Sequence, residues 1–527
     1  MFKKTDPNPQ LDIFTAPSMQ LGSRASKKYS DPNAWHNQFY SLVTTKINEE
    51  IFKPLFPEGK KCGRPNASIR ILVAMSALKE GFGCSDEDLF EKCEFDLLTR
   101  KALGMELLTD VTPSIDTYYL FRRRICEYQE RTGIDLMQLC FEQLAGNQVR
   151  LLKISGKCVR MDSKLIGSNI ARQSRYELIH TTLVKFLKTC TLSDLSPEQE
   201  ERAKEYLKED SSKTVYRSDS DTLQSNLARI GNFIMEMLAT FPATSPAHDL
   251  LQRLFDEQYA VKDGKAVLRD KKEVKADSLQ NPNDPDATYR AKNDQKVQGY
   301  VTNITETVEE GKPNIITSVQ VETAVFADCH FLQEAVENSE RVTDSTIEDL
   351  YADGAYQSPD NREFAKNHNA MQLKTGKMQG GCRWELIPHD EDGLTVREIA
   401  TGNTYEAVKA VTKQGSRKRW RIPWNNKTGW RYFEDKDIKA YQLRKQIESL
   451  PLEEQHKRNN VEAAMFQYSF HTRKGKTRYR GLLKHRMHAY SRCMWMNLRR
   501  MVIFQISTFQ RSIFALFGPI REAFGSF

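Results

Sequence analysis

Three acids in this chain are spaced as a phosphoryl-transfer centre would need them. Asp162 stands in KCVRMDSKLI, Asp353 closes the run DLYAD, and Glu462 falls in HKRNNVEAAMF. Mg²⁺ is a hard cation that is usually held by one or two carboxylates and keeps waters for substrate phosphates. Two such ions roughly 3.5–4 Å apart activate an attacking oxygen and stabilise a leaving one in an in-line displacement. If the three side chains converge, Asp162, Asp353 and Glu462 are at once the catalytic and the metal-ligating residues, and the chemistry is the cutting or joining of phosphodiesters.

Each acid has a plainer alternative. An Asp in a strand is commonly a hydrogen-bonded structural residue, but Asp162 is flanked by Val159, Met161 and Leu165, where an unpaired carboxylate is costly to bury. Asp353 could be a simple turn residue; Gly354 after it lacks a Cβ and permits close backbone approach at a strand end. Glu462 competes with Glu398, Glu406, Glu434 and Glu448 for the third place. It shares one helix face with Arg458, four positions earlier, and a basic segment follows it.

Such acids need rigid elements to hold them. From Lys157 the texture is β: KCVRMDSKLIGS, then Val297–Val308 and Ile315–Val325 as an antiparallel hairpin about Glu309-Glu310-Gly311-Lys312-Pro313, then IEDLYADGAY and AMQLKT. Before it, residues 36–150 read as helical. Ile69, Leu72, Val73 and Ala77 follow one helix face, a Gly81-Phe82-Gly83 break comes next, and Ser85 with Asp88 opens a second helix as a capping box. A third helix begins near Ser114 and carries Arg122, Arg123 and Arg124. Short helices with a basic third one suit either a helix-turn-helix-like DNA-binding domain or a packing and dimerisation module. The expected organisation is a flexible arm over residues 1–35, the helical domain over 36–150, and a mixed α/β core over 151–527. That core is interrupted by a helical insertion at about 172–290 and a β-rich one at about 377–433, and ends in a basic helical segment from about 463.

The chain has 527 residues, more than one core usually serves. Its 78 basic and 70 acidic residues give a net charge of only +8, but the placement is uneven. Ala463 to Arg521 holds twelve Lys and Arg and no acid, a pattern suited to a polyanion. Ala407 to Phe433 has eight Lys and Arg, no acid, and Trp420, Trp424, Trp430, Tyr432 and Phe433 interleaved. Basic side chains track a phosphate backbone while aromatic faces stack on unpaired bases; equally, these aromatics could form the insertion's own core, with Trp420 or Trp424 the candidates for stacking otherwise. His471, His485 and His488 lack a metal-ligand pattern and are expected to add to the basic surface. The ten cysteines include no CxxC pair, and the N-terminus lacks a signal-peptide run. Met501 to Phe509 is too short to span a bilayer, so a soluble protein with reduced thiols is expected.

The order of an Asp in the first strand, ADGAY after a later strand, and VEAAMF in a basic C-terminal helix resembles the DDE transposases of bacterial insertion sequences. SDEDLFEKCEFDLLTRKALGM, DPDATYRAKNDQKVQGY and YRGLLKHRMHAYSRCMWMNLRRM extend the resemblance over most of the chain from Gly63 to Met501. It implies an RNase H-like core of the retroviral-integrase type: a mixed sheet flanked by helices, interrupted by the two insertions and preceded by the helical domain. It also implies two Mg²⁺ or Mn²⁺ ions on Asp162, Asp353 and Glu462, cleavage at insertion-sequence ends, and transfer of the freed 3′-OH into target DNA. The partners implied are terminal inverted repeats, target DNA and a second copy of the chain, in a bacterial cytoplasm at the nucleoid.

The resemblance makes Arg458 a phosphate clamp and Trp420 or Trp424 the holder of a flipped base. Gln455 and Ser469 stand where the related motif has Tyr and Lys, and Lys474 or Lys476 is the candidate replacement for the missing charge. With Arg478, Arg480, Arg122 and Arg123 these complete the expected DNA contacts. Only Cys382 lies between the second and third acids, against a zinc-bearing insertion. Two other readings stay open: an RNase H-like DNA endonuclease without strand transfer, and a non-catalytic DNA-binding protein derived from a transposase.

Overall fold

The computed structural model describes residues 2–5, 17–56, 65–241, 245–292, 295–375, 382–389, 393–410, 419–424, 429–449, 451, 457 and 461–517, the side chains only as far as 508. The chain forms two compact units. The first comprises Met1–Gly156, Ser163–Ser345 and Ala464–Phe527; the second comprises Lys157–Asp162 and Thr346–Ala463.

In the first unit, local sequence sets the helix ends. Ser68 caps Ile69–Phe82 by accepting from Ile71 N, and Gly83 ends it at φ 65°, a left-handed conformation that glycine adopts without steric penalty. Ser85 and Asp88 form the expected capping box, each side chain accepting the other's backbone N–H at 3.0 Å, and so start Asp86–Phe95. Ser114 caps Ile115–Thr132. Short helices at Pro17–Gln20 and Ser23–Tyr29 lie in the N-terminal segment, and Thr5 N donates to Glu49 Oε2 at 2.8 Å.

The long helix Leu482–Phe517 runs through this unit's main core, burying Met487, Tyr490, Met494 and Met501. Gly81 lets it approach: a Cβ there would lie 2.3 Å from Trp495 Cδ2. The basic block counted along the sequence is partly internal. Arg500 pairs with the fully buried Glu306 at 2.6 Å, Arg486 pairs with Glu322, and Arg492 donates to the Glu80 carbonyl at 2.7 Å. These partners come from distant segments, which a count along one segment cannot see.

Strand β1 (Cys158–Gly167) begins in the second unit and ends in the first. Between β1 and the remaining core strands the described residues form five α-helices, from Arg175–Leu187 to Pro246–Gln258, and the hairpin of β2 (Tyr259–Lys262) with β3 (Lys265–Leu268). They enclose a separate core around Tyr176, Phe186, Phe233 and Leu251. Next come β4 (Thr288–Lys292), β5 (Gln295–Thr307) and β6 (Ile316–Thr323), antiparallel in that order, with β5 in the middle. Asn497 of the long helix pins β6, its Oδ1 accepting from Ile316 N at 2.8 Å and its Nδ2 donating to Ile316 O at 3.0 Å.

In the second unit the start of β1 pairs in parallel with β7 (Asp349–Ala352), which pairs in parallel with β8 (Gln372–Thr375). A separate antiparallel sheet follows, made of β9 (Trp384–Pro388), β10 (Leu394–Glu398), β11 (Thr404–Ala410), β12 (Arg419–Trp424) and β13 (Gly429–Glu434). Helices Asp435–Glu448 and Val461–Ser469 come after it. The fold is thus mixed α/β with a helical N-terminal region. Among the described residues no helix is long and apolar enough to cross a membrane.

Candidate functional site

Asp162, Asp353 and Glu462 all belong to the second unit. In the parallel β1–β7 pair, Cys158 lies opposite Asp349, Val159 opposite Leu350 and Arg160 opposite Tyr351. The same offset, carried two residues further, sets Asp162 opposite Asp353. Asp353 follows β7 with extended backbone, φ −75° and ψ 160°, so the strand direction is kept. Side chains alternate between faces along a strand and neighbouring strands lie roughly 4.8 Å apart. On that offset Asp162, midway along β1, and Asp353, the residue just past β7, fall on one face of the sheet beyond the paired residues. Asp162 is half-buried and Asp353 exposed, with Asp353 Oδ1 accepting from Gly354 N at 2.6 Å.

The same face carries the residues that fix this pair's surroundings. Arg160, 3 % exposed, donates from Nη1 to the Lys457 carbonyl at 2.9 Å. Lys457 Nζ lies 5.8 Å from the Tyr351 ring centre, and Lys374 Nζ lies 2.9 Å from Asp349 and 3.3 Å from Tyr351 Oη. Within the first unit, Lys164 donates from Nζ to Ser469 Oγ at 2.7 Å and to the Met465 carbonyl at 3.4 Å. Arg160, Asp162 and Lys164 alternate along β1, and the anchors of the two cations fall on either side of Glu462 in the chain. Glu462 occupies the first turn of Val461–Ser469 with its side chain exposed.

Among the described residues, no group of three or more His, Cys, Asp or Glu side chains is gathered closely enough to hold a metal ion. Two carboxylates are nevertheless a donor set that Mg²⁺ accepts, since it commonly takes one or two plus substrate phosphates and waters. The Asp162 and Asp353 oxygens, hard and on one face, fit that requirement.

The other expected contacts are dispersed. Arg458 and Gln455 lie outside the described residues. Lys474 and Lys476 lie on a turn, Arg473 to Lys476, docked against the end of β1 by Gly167 N donating to Gly475 O at 2.8 Å. Arg478 donates to the Gly83 carbonyl at 2.7 Å and Arg480 to the Asn169 carbonyl at 2.7 Å. Arg122 is half-buried, its guanidinium 5.4 Å from the Tyr118 ring and 5.2 Å from the Tyr479 ring, whereas Arg123 is exposed and 3.5 Å from Glu127. Two of the three histidines, His485 and His488, correct the expectation of a basic surface, while His471 is exposed. His485 is buried, and burial pushes its pKa down to about 3, so the ring is neutral. His488 is buried with Nδ1 2.7 Å from Glu80 Oε2, and His471 Nε2 is bonded to the Gly81 carbonyl.

In the five-stranded sheet, Trp420 is 4 % exposed and packs with Trp384, Ile422 and Phe433 as core; Trp424 meets Trp384 edge-on at 5.1 Å. The opposite face of β12 and β13 carries Trp430, 50 % exposed, under Arg421 at 4.2 Å, and Tyr432, 37 % exposed, under Arg419 at 4.0 Å. Alternation in RWRIPW and GWRYFE contains this distinction. Arg160 and Lys164 were legible in the same way, as the same-face neighbours of Asp162 in VRMDSKL.

A family model described as "Transposase domain (DUF772)" matches residues 28–124. That stretch holds the capped helices Ile69–Phe82 and Asp86–Phe95 and the start of Ile115–Thr132, and it supports a transposase. No curated protein and no solved structure matches the chain.

Proposed function

We propose that the chain is a DNA transposase of the DDE type with an RNase H-like core. The observation that carries this reading is the match of residues 28–124 to a transposase domain, and the parallel β1–β7 register supports it, since its offset carried on from Arg160 and Tyr351 would put Asp162 beside Asp353. The antiparallel β4–β5–β6 set and the parallel β1–β7–β8 set, with β1 running through both units, support the RNase H-like assignment.

Asp162 and Asp353, with Glu462 as third acid, would hold Mg²⁺ or Mn²⁺. Such ions supply charge neutralisation at the phosphate and a lowered pKa for bound water. Arg160 holds the Lys457 carbonyl, five residues before Glu462 in the chain. Water attacks phosphorus and the P–O3′ bond breaks, leaving a 3′-OH on the element and a 5′-phosphate on the flank. That 3′-OH then attacks a target phosphodiester, forming a new P–O bond and releasing a target 3′-OH. The exposed Trp430 and Tyr432 suit stacking on unpaired bases.

The test is cleavage of a labelled duplex carrying the element's own ends, with Mg²⁺, by wild type and by Asp162→Asn, Asp353→Asn and Glu462→Gln. Wild type is expected to cut and then to join its 3′-OH product to target. Each variant should bind as wild type does and lose cutting on the order of 10³-fold or more. A variant that cuts normally removes that acid from the site. Cutting without joined product identifies an endonuclease, and binding without cutting by the wild type identifies a non-catalytic DNA-binding protein.

A further inference from the structure

A cavity of about 540 Å³ opens in the first unit where the end of β1, the start of β5 and the Arg473–Lys476 turn meet. Five cations line it, Lys164, Arg172, Lys296, Lys474 and Lys476, and among the described residues no acid does. Grouping like charges is unfavourable unless an anion is held among them. Neutral acceptors orient three of them: Lys476 Nζ donates to the Ile170 carbonyl at 2.6 Å, Arg172 to the Lys296 carbonyl, and Lys164 to Ser469 Oγ at 2.7 Å. Among the described residues, no carboxylate pairs with Arg172, Lys296, Lys474 or Lys476.

The turn adds an independent observation. Lys474 and Gly475 have φ 51° and 72°, and Arg473 and Lys476 exchange both backbone hydrogen bonds, at 3.1 and 3.0 Å. A two-residue turn with both central residues left-handed favours Asn-Gly or Gly-Gly, and lysine at its first position is disfavoured. Strained backbone of this kind is found where a side chain has a task; here the task coincides with a cationic cavity.

We propose that this cavity is a binding site for backbone phosphates of a DNA strand, read without regard to base sequence. The proposal rests on the reading of the chain as a DNA-cutting enzyme and deepens it: Lys164 stands two residues after Asp162 on β1 and donates to Ser469. The cavity volume lies in the range of small-molecule sites and suits one or two phosphodiester-linked units. Neither Arg172 nor Lys296 was marked by the sequence.

The experiment measures binding of the full chain to a labelled random-sequence duplex over a range of salt, in EDTA, for wild type, Lys474→Gly, Lys296→Gln and their combination. Lys474→Gly deletes the charge while suiting the left-handed backbone, and a urea melt of each variant confirms folding. Each lost phosphate contact should lower the slope of log K against log[salt] by about 0.9, and the double variant by about 1.8. An unchanged slope in both folded single variants overturns the proposal, as does a wild type without salt-dependent binding. Release of the duplex by millimolar inorganic phosphate, with no slope change in the variants, would also overturn it in favour of a small-anion site. Cutting is read separately. Variants that cut and bind as wild type sink the cavity proposal and spare the enzyme, whereas lowered slopes with a wild type that never cuts spare the cavity and sink the enzyme.

Discussion

Replacing Arg160 by Gln should raise the Mg²⁺ concentration needed for cleavage by about tenfold or more while leaving metal-free DNA binding unchanged. Arg160 is 3 % exposed, sits two residues before Asp162 on the same face of β1, and donates to the Lys457 carbonyl at 2.9 Å. A hydrogen bond from a charged group is worth about 1.5–3 kcal/mol net. Without it, Lys457, five residues before Glu462 in the chain, loses that much of its hold on β1. If the competent arrangement is populated less by this free energy, apparent metal affinity falls by the same factor, about 10- to 150-fold. The assay is a Mg²⁺ titration of end cleavage, with Arg160→Lys as the conservative variant, expected to fall between Gln and wild type. A purely structural role for Arg160 would reduce the folded fraction, and so the amplitude, without moving the midpoint. An unmoved midpoint in folded Arg160→Gln would refute the reasoning.

Further outcomes follow from burial and charge. Trp430→Ala and Tyr432→Ala should weaken single-stranded DNA binding by about 1–3 kcal/mol per stacked base with little change in stability. Trp420→Ala should instead cost about 3–5 kcal/mol in urea unfolding, and the reverse pattern would assign stacking to Trp420. Stability should fall on acidification in two stages. Burial lowers His485 from 6.5 to about 3, so the unfolded chain takes up this proton first and stability is lost as pH falls below about 6.5. For Glu80, burial opposes ionisation, but His488, Lys79 and Tyr479 outweigh it and bring the pKa from 4.5 to about 2, so a further loss begins below about 4.5. Each group contributes a slope of about 1.4 kcal/mol per pH unit in its window. Urea midpoints at pH 7, 5 and 3.5 test this, and an unchanged pH 7-to-5 slope in His485→Gln would exclude His485 as a source.

What was legible in the sequence is local. Ser85 and Asp88 form their capping box because the two partners are three residues apart, and the hairpin of β5 and β6 follows from β-branched alternation around a Gly-Lys-Pro turn. Asp162 was found as an acid within a strand and Asp353 as one at a strand end, but the β1–β7 register joins segments nearly two hundred residues apart and appears only once the two strands are side by side. Charge counting was least reliable, because a count is blind to direction. Arg486, Arg492 and Arg500 belong to the basic C-terminal block and turn inward to Glu322, to the Glu80 carbonyl and to Glu306. Lys474 and Lys476, from the same block, reach the cationic cavity. Trp420 and Trp430 belong to one aromatic-rich stretch, yet strand alternation puts one in the core and the other in solvent.

Strand β1 ties these observations together. Its face carries Arg160, Asp162 and Lys164 in succession, so the clamp on Lys457, the proposed metal-binding acid and one cation of the proposed phosphate cavity share a single alternation. Because side-chain direction has a period of two, a one-residue slip would turn all three away together. The pairing with β7 opposes such a slip on one side, since Val159 and Leu350 are register partners and both fully buried. Towards its end, β1 is held by backbone bonds from Ser168 N to the Gln298 carbonyl and from Gly167 N to the Gly475 carbonyl. Gly299 allows this closeness: a Cβ there would lie 2.3 Å from the Ile166 carbonyl. The elements that fix the register of β1 are therefore the same ones that orient the proposed chemistry, and among the described residues the five strands inserted between Asp353 and Glu462 form a sheet of their own.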